Sequence, residues 1–332
     1  MGKRLGQHFL ESRIYLRRIA GALELEPSDT VVEIGPGHGE LTKELIKTPG
    51  ARFILIERDS LLVASLRKNF QFLPLRGISR METISSDFVA SPRQGRDNSQ
   101  TNSKPQNSKI EIIEGDVLKI LPKLIRNLKL PARRSPHLAA RSDSSSETRR
   151  EAFDEAQVAT GGEIRNPNYK IVGNIPFYLT GRLLRVIGDL ITNHQSLITR
   201  VVLTVQQEVA ERIIAKPPKM NLLAASIQLW AAPTIVGYIP RKEFSPPPKV
   251  DSAILALDTK VPAYDPAAYY TLVHALFKQP RKTILNNLTA GDPRVARHEV
   301  AEKLRGAGMK PEGRPQDLSV EDILSIASLR YT

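Results

Sequence analysis

No cysteine occurs anywhere in the 332 residues, which excludes disulfides, zinc-thiolate sites, iron–sulfur clusters and a thiol nucleophile at once. Long apolar runs are missing too. Nothing approaches the roughly 18–20 consecutive apolar residues of a membrane-spanning helix, and residues 1–30 alternate charge and apolarity without the ~7–15-residue apolar stretch of a secretory signal. A soluble, cytoplasmic protein with no membrane partner is expected. Negative charge is in short supply: 35 Asp and Glu face 48 Lys and Arg, a formal net charge of +13. That excess favours a polyanionic partner such as nucleic acid. A hydrophobic fraction of 41% still implies a sizeable core and excludes disorder throughout.

What is present is an alternation. Thr30–Ile34, Arg52–Ile56, Ile110–Ile113, Tyr169–Val172 and Arg200–Val205 are β-branched runs bounded by Gly, Pro, Asp or Asn, and each reads as a buried strand. Between them Glu40–Lys47, Ser60–Asn69 and Thr180–Leu190 carry apolar residues at helical spacing. The pattern predicts an α/β fold with a mostly parallel, doubly wound sheet. Ser252–Leu257 reads as a further strand, an antiparallel edge of that sheet.

Two stretches interrupt the rhythm, about 75–109 and 131–168. Both are polar and rich in Ser and Arg, and neither holds enough apolar surface to offset the entropy of ordering it, so both read as surface insertions. Beyond a Pro-marked junction at Val261–Pro266 only helical patterns follow: Tyr269–Lys278, Lys282–Leu288, Ala296–Ala307 and Val320–Leu329, the last preceded by Ser319 and Asp322 in a capping arrangement. The expected organisation is a domain over 1–260, carrying the insertions, and a small all-helical C-terminal domain over 263–332.

The sharpest local signal is Glu33-Ile-Gly35-Pro-Gly37-His-Gly39, directly after the first strand. Closely spaced glycines let the backbone turn tightly and approach a ligand, although the spacing is not that of the dinucleotide fingerprint. Glu57, twenty positions after Gly37 at the second strand's end, stands where a carboxylate can accept from ribose hydroxyls, and Asp116 ends the third strand on the same edge. An adenosine-bearing cofactor fits these positions. The fourth strand ends in Asn174-Ile175-Pro176-Phe177, which offers amide and carbonyl acceptors for an amino group beside an aromatic stacking face. An exocyclic amine on a nucleobase is the natural substrate.

The succession Gly6-Gln-His8-Phe-Leu10, Glu33-Ile-Gly-Pro-Gly37, Glu57-Arg-Asp59, Gly115-Asp116, Asn174-Ile-Pro-Phe177, Gln207-Glu-Val-Ala210, Phe244-Ser-Pro-Pro-Pro-Lys-Val-Asp-Ser252 and Arg281-Lys282 strongly resembles the KsgA-type rRNA adenine dimethyltransferases over nearly the whole chain apart from the insertions. The resemblance implies a Rossmann-like class I methyltransferase, S-adenosyl-L-methionine as cofactor, and a monomer acting on small-subunit rRNA or the immature small ribosomal subunit. By the same resemblance His8 and Leu10 line the methionine end of the cofactor and Gly35 and Gly37 approach it. Glu57 then holds the ribose, Asp116 meets the adenine, and Asn174 lies beside the transferring methyl. Ile175, Pro176 and Phe177 complete the catalytic turn, with Phe244 as a second ring against the target base. Lys3, Arg4, Lys278, Arg281 and Lys282 are candidates for gripping rRNA phosphates, together with Arg13, Arg17 and Arg18. Methyl transfer from a sulfonium requires no metal, so no metal site is expected.

The family commonly carries Leu and Tyr at positions 175 and 177. The Ile/Phe form is frequent among methyltransferases of large-subunit rRNA, which keeps open a large-subunit enzyme conferring antibiotic resistance. A non-catalytic assembly or transcription factor of the same fold is the other alternative.

Overall fold

The apolar runs become the centre of one twisted sheet. The computed structural model describes residues 8–70, 109–127, 168–194, 197–262, 264–290 and 296–329. Among them β1 (Phe9–Leu10) precedes helix α1 (Arg13–Ala22), and the alternating core follows: β2 (Thr30–Ile34), α2 (Glu40–Leu45), β3 (Arg52–Glu57), α3 (Ser60–Asn69), β4 (Lys109–Glu114), α4 (Val117–Asn127), β5 (Tyr169–Asn174), α5 (Thr180–His194) and β6 (Ile198–Gln206). Then come α6 (Gln207–Ile213), α7 (Leu222–Gln228), β7 (Ala231–Ile239), β8 (Phe244–Ser245) and β9 (Ser252–Thr259). The chain closes with α8 (Pro266–Leu276), α9 (Ile284–Thr289), α10 (Arg297–Gly306) and α11 (Val320–Ser328). Among the described residues no helix is long and apolar enough to cross a membrane.

The sheet order is β4-β3-β2-β5-β6-β9-β7, parallel from β4 to β6 and antiparallel at β9 and β7. Successive side chains of a strand face opposite sides, and here both sides are buried. Val32, Ile54, Ile171 and Leu203 join the apolar cluster on one face, while Val31, Phe53, Val172 and Val202 join that on the other. Covering both faces is what a continuous apolar strand demands, at about 1.5–3 kcal/mol for each large aliphatic side chain removed from water.

One expectation needs correction. Ser252–Leu257 does form an antiparallel strand, but β9 lies between β6 and β7, and the edge is Ala231–Ile239. That edge strand alternates buried and exposed positions and carries Pro233, and its register shifts between Ile235 and Gly237. Pro and Gly in the run hid it from a reading tuned to buried strands, and both residues suit an edge.

The C-terminal helices begin at Pro266, capped by Asp265, and the Ser319–Asp322 capping box closes in both directions. Tyr269, Val273, Leu304 and Ile323 belong to the same apolar cluster as one face of the sheet, and the Tyr269 hydroxyl donates to the Ala225 carbonyl at 3.1 Å. The expected boundary at 260–263 falls between β9 and α8. The two expected insertions lie outside the described residues except at their last positions: Lys109 opens β4, and the Asn168 carbonyl accepts from Thr30 N–H at 2.9 Å.

Candidate active site

The parallel strands β4, β3, β2 and β5 end along one side of the sheet, and the order reverses at β2, with β3 and β4 to one side and β5 and β6 to the other. Open α/β sheets bind ligands in the crevice at such a switch point. A cavity of about 410 Å³ lies there, within the roughly 300–1,000 Å³ of small-molecule sites.

Strand ends deliver its acids. Glu57 closes β3; its Oε1 accepts from the backbone N–H groups of Arg58 at 2.8 Å and Asp59 at 3.0 Å, and its Oε2 from Gly37 N–H at 3.2 Å. A carboxylate offers about four lone-pair positions, so one on Oε2 is still available to a hydroxyl. Gly37 adopts φ +58°, and a Cβ there would stand 2.9 Å from the Phe9 ring, so glycine is required on both counts. Asp116 follows β4. Its Oδ1 caps α4 by accepting from Leu118 N–H at 3.0 Å, and Oδ2 has no partner among the described residues. The residue is thus both helix cap and cavity wall.

Glu33 also lines the cavity, although the sequence had suggested no role for it. Burial pushes its carboxyl up to about 7; the Thr42 hydroxyl, donating at 2.7 Å, opposes that rise and the Glu57 charge adds to it. An acid in the middle of an apolar strand was the available signal.

The far end of the site is built from distant segments. β1 pairs antiparallel with β8, matching Phe9 with Ser245 and Leu10 with Phe244. The His8 Nδ1–H donates to the Pro246 carbonyl at 2.7 Å across 238 positions. His8, Leu10 and the buried Phe244 thereby line the same cavity as Gly35 and Gly37. Asn174 closes β5, and its Nδ2 donates to the His8 carbonyl at 2.9 Å. A carbonyl can only accept, so the amide's orientation is settled, and no donor among the described residues reaches Oδ1. The preceding Gly173 lets β5 lie this close to β2, since a Cβ there would be 2.6 Å from the Ile34 carbonyl.

Ile175, Pro176 and Phe177 all line the cavity, and Ile175 is in addition buried in the core. The Phe177 ring lies near the His8 imidazole, with centroids 6.1 Å apart and planes 29° from parallel. Phe177 and Phe244 are brought to one cavity as expected, and His8 joins them as an aromatic neighbour that the sequence had placed only at the cofactor. Arg58, Tyr178 and Arg182 line the cavity as well and were not foreseen. For the last two the signal was a four-residue spacing directly after Phe177.

The basic candidates lie elsewhere. Lys3 and Arg4 are outside the described residues. Lys278, Arg281 and Lys282 are exposed in the turn between α8 and α9, line no part of the cavity, and have no ion-pair partner among the described residues. Asn287 clasps that turn: its Nδ2 is shared among the carbonyls of Gln279, Lys282 and Thr283 at 3.1–3.3 Å, and its Oδ1 accepts from Gln279 N–H at 3.2 Å. On α1, Arg17 pairs with Glu44 at 3.6 Å, and the Arg18 guanidinium lies 5.8 Å from the Tyr15 ring centroid.

A profile of one known family, described as ribosomal RNA adenine dimethylase, matches residues 1–91 and 97–330. The chain belongs to the ribosomal RNA adenine dimethylase family. It is therefore a methyltransferase, and the crevice at the switch point is the candidate active site of a family member. The chain is 33% identical over 333 residues to the ribosomal RNA small subunit methyltransferase A of Moorella thermoacetica, covering 98% of this chain and 91% of the relative. It is 30% identical over 324 residues to the protein of the same name from Dehalococcoides mccartyi, covering 96% and 85%. Among solved structures, the 23S rRNA methyltransferase ErmE superposes with a TM-score of 0.59 at 22% identity, covering 96% of this chain and 98% of that one. That likeness establishes the Rossmann-like fold of this dimethylase.

Proposed function

We propose that this dimethylase transfers methyl groups from S-adenosylmethionine to the exocyclic amines of two adjacent adenosines near the 3′ end of small-subunit rRNA. The observation that carries the choice of the small subunit is the 30–33% identity, over 96–98% of the chain, to relatives named for it. The likeness to ErmE supports the fold alone.

The cavity suits the cofactor through groups already in place. Glu57 keeps one acceptor position on Oε2 for a ribose hydroxyl, Asp116 keeps an oxygen with no partner among the described residues, and Gly37 turns the loop along the cavity wall at φ +58°. His8 and Leu10 close the methionine end. When bound, S-adenosylmethionine supplies a methyl group already activated on a sulfonium, so this chain's contribution is positioning.

Asn174 does the positioning. Its Oδ1 and the Ile175 carbonyl accept the two N–H groups of the target amine, which draws those hydrogens to one side and turns the nitrogen lone pair away from conjugation with the ring. Pro176 holds the turn without adding a competing donor. The adenine must leave its stack to arrive there, and Phe177 with Phe244 receives its faces. The released proton passes to water. Outside the cavity, Lys278, Arg281 and Lys282, with Lys3 and Arg4, grip phosphates of the rRNA.

The test is transfer of labelled methyl groups by the full chain to immature small subunits and, separately, to large subunits. Label in small-subunit rRNA alone is expected; label in large-subunit rRNA alone overturns the reading.

A further inference from the structure

We propose that Tyr178 and Arg182 form a subsite for the nucleotide adjacent to the target adenosine, an inference that rests on the function proposed above. Phe177 and Tyr178 are consecutive in a short 3₁₀ turn, yet their rings have different surroundings. Phe177 is half-buried beside His8, whereas Tyr178 is 63% exposed while still lining the cavity. No hydrogen bond or ring contact holds it among the described residues. A large ring left in water at the rim of a cavity is a stacking platform without an occupant from its own chain.

Charge identifies the occupant. The cavity lining carries the acids Glu33, Glu57 and Asp116, and the carboxylates of Glu57 and Asp116 suit a cationic cofactor. The same lining carries two arginines. Arg182 follows Tyr178 by four residues into the first turn of α5, and Arg58 reaches the cavity from the β3–α3 connection. Neither guanidinium has an ion-pair partner among the described residues. A flat ring with an unpaired guanidinium beside it matches one nucleotide, base on the ring and phosphate on the cation. A single strand that delivers one base to Phe177 necessarily places its neighbour at the rim.

The test uses the full enzyme and immature small subunits reconstituted with an abasic residue at one of the two adjacent adenosine positions. Tyr178→Ala should raise KM for the intact particle by about tenfold, leaving kcat and cofactor Kd within about twofold of the parent. For the parent enzyme the abasic particle should show a similar rise, and the variant should show no further rise on it. Tyr178→Phe, which keeps the ring, should recover most of the loss. An unchanged KM for Tyr178→Ala beside an active parent overturns the subsite alone, as do independent, multiplying effects of the variant and the abasic residue. A parent enzyme that methylates no small-subunit rRNA overturns the proposed function and the subsite with it.

Discussion

The side-chain amide of Asn174 donates to the backbone carbonyl of His8 at 2.9 Å, joining two residues 166 positions apart. The bond uses one of the two N–H groups of the amide, fixes its orientation and leaves the acceptor end for substrate. Replacing Asn174 by Ala should therefore cut turnover by about 10²–10³-fold, the usual effect of deleting one oriented polar group at a reacting centre, with far less change in cofactor affinity. Asn174→Asp should be nearly as inactive, because it sets an oxygen against the His8 carbonyl. Single-turnover methylation and cofactor titration measure both; an unaltered rate removes the amine-orienting role.

Phe177 presents a ring rather than a polar group, so its loss should be felt by the base. Phe177→Ala is expected to lower kcat/KM for RNA by about 1–3 kcal/mol, the range for one base–aromatic stack, and to change cofactor Kd much less. Equal losses in both would assign the ring to packing.

Glu33 gives a pH signature. Its carboxyl has an ordinary value of 4.5 and stands at about 7 in the folded chain. Because the folded value is raised, the group's contribution to stability is fully present below pH 4.5 and is lost as pH rises through about 7. Glu33→Gln stays neutral and can still accept from Thr42. Without cofactor, the melting temperatures of variant and parent should be close at low pH and diverge in the variant's favour toward alkaline pH. A gap independent of pH would contradict the account.

Gly37→Ala introduces a Cβ at φ +58° and 2.9 Å from the Phe9 ring. A left-handed backbone at an L-residue costs roughly 1–2 kcal/mol, and the clash pushes on β1, so both the melting temperature and cofactor affinity should fall. Calorimetry with cofactor titration reads both; no change in either would show that the loop tolerates a side chain.

The turn held by Asn287 carries three cations that have no ion-pair partner among the described residues. Neutralising Lys278, Arg281 and Lys282 together should flatten the salt dependence of RNA binding by up to about 2–3 in log–log slope, at roughly 0.7–0.9 per phosphate contact. An unchanged slope removes the turn from the interface.

Much of this was legible in the residues. Thr30–Ile34 reads as a strand from its β-branched run, all five positions of which the fold buries, and Glu57 and Asp116 are found by counting from strand ends. The β7 edge was not, because half its positions face water and Pro233 and Gly237 interrupt it. His8 needed the family resemblance, since its partners at Pro246 and Asn174 are brought to it only by the fold. Glu33 was visible as an acid but not as a buried one, and Tyr178 as an aromatic but not as an exposed one.

The central claim is tested most directly by digesting small-subunit rRNA after reaction with the full enzyme and identifying the modified nucleosides by position. The account predicts dimethyladenosine at two adjacent positions near the 3′ end. Dimethyladenosine confined to large-subunit rRNA, or no methylated adenosine in either subunit, would contradict it.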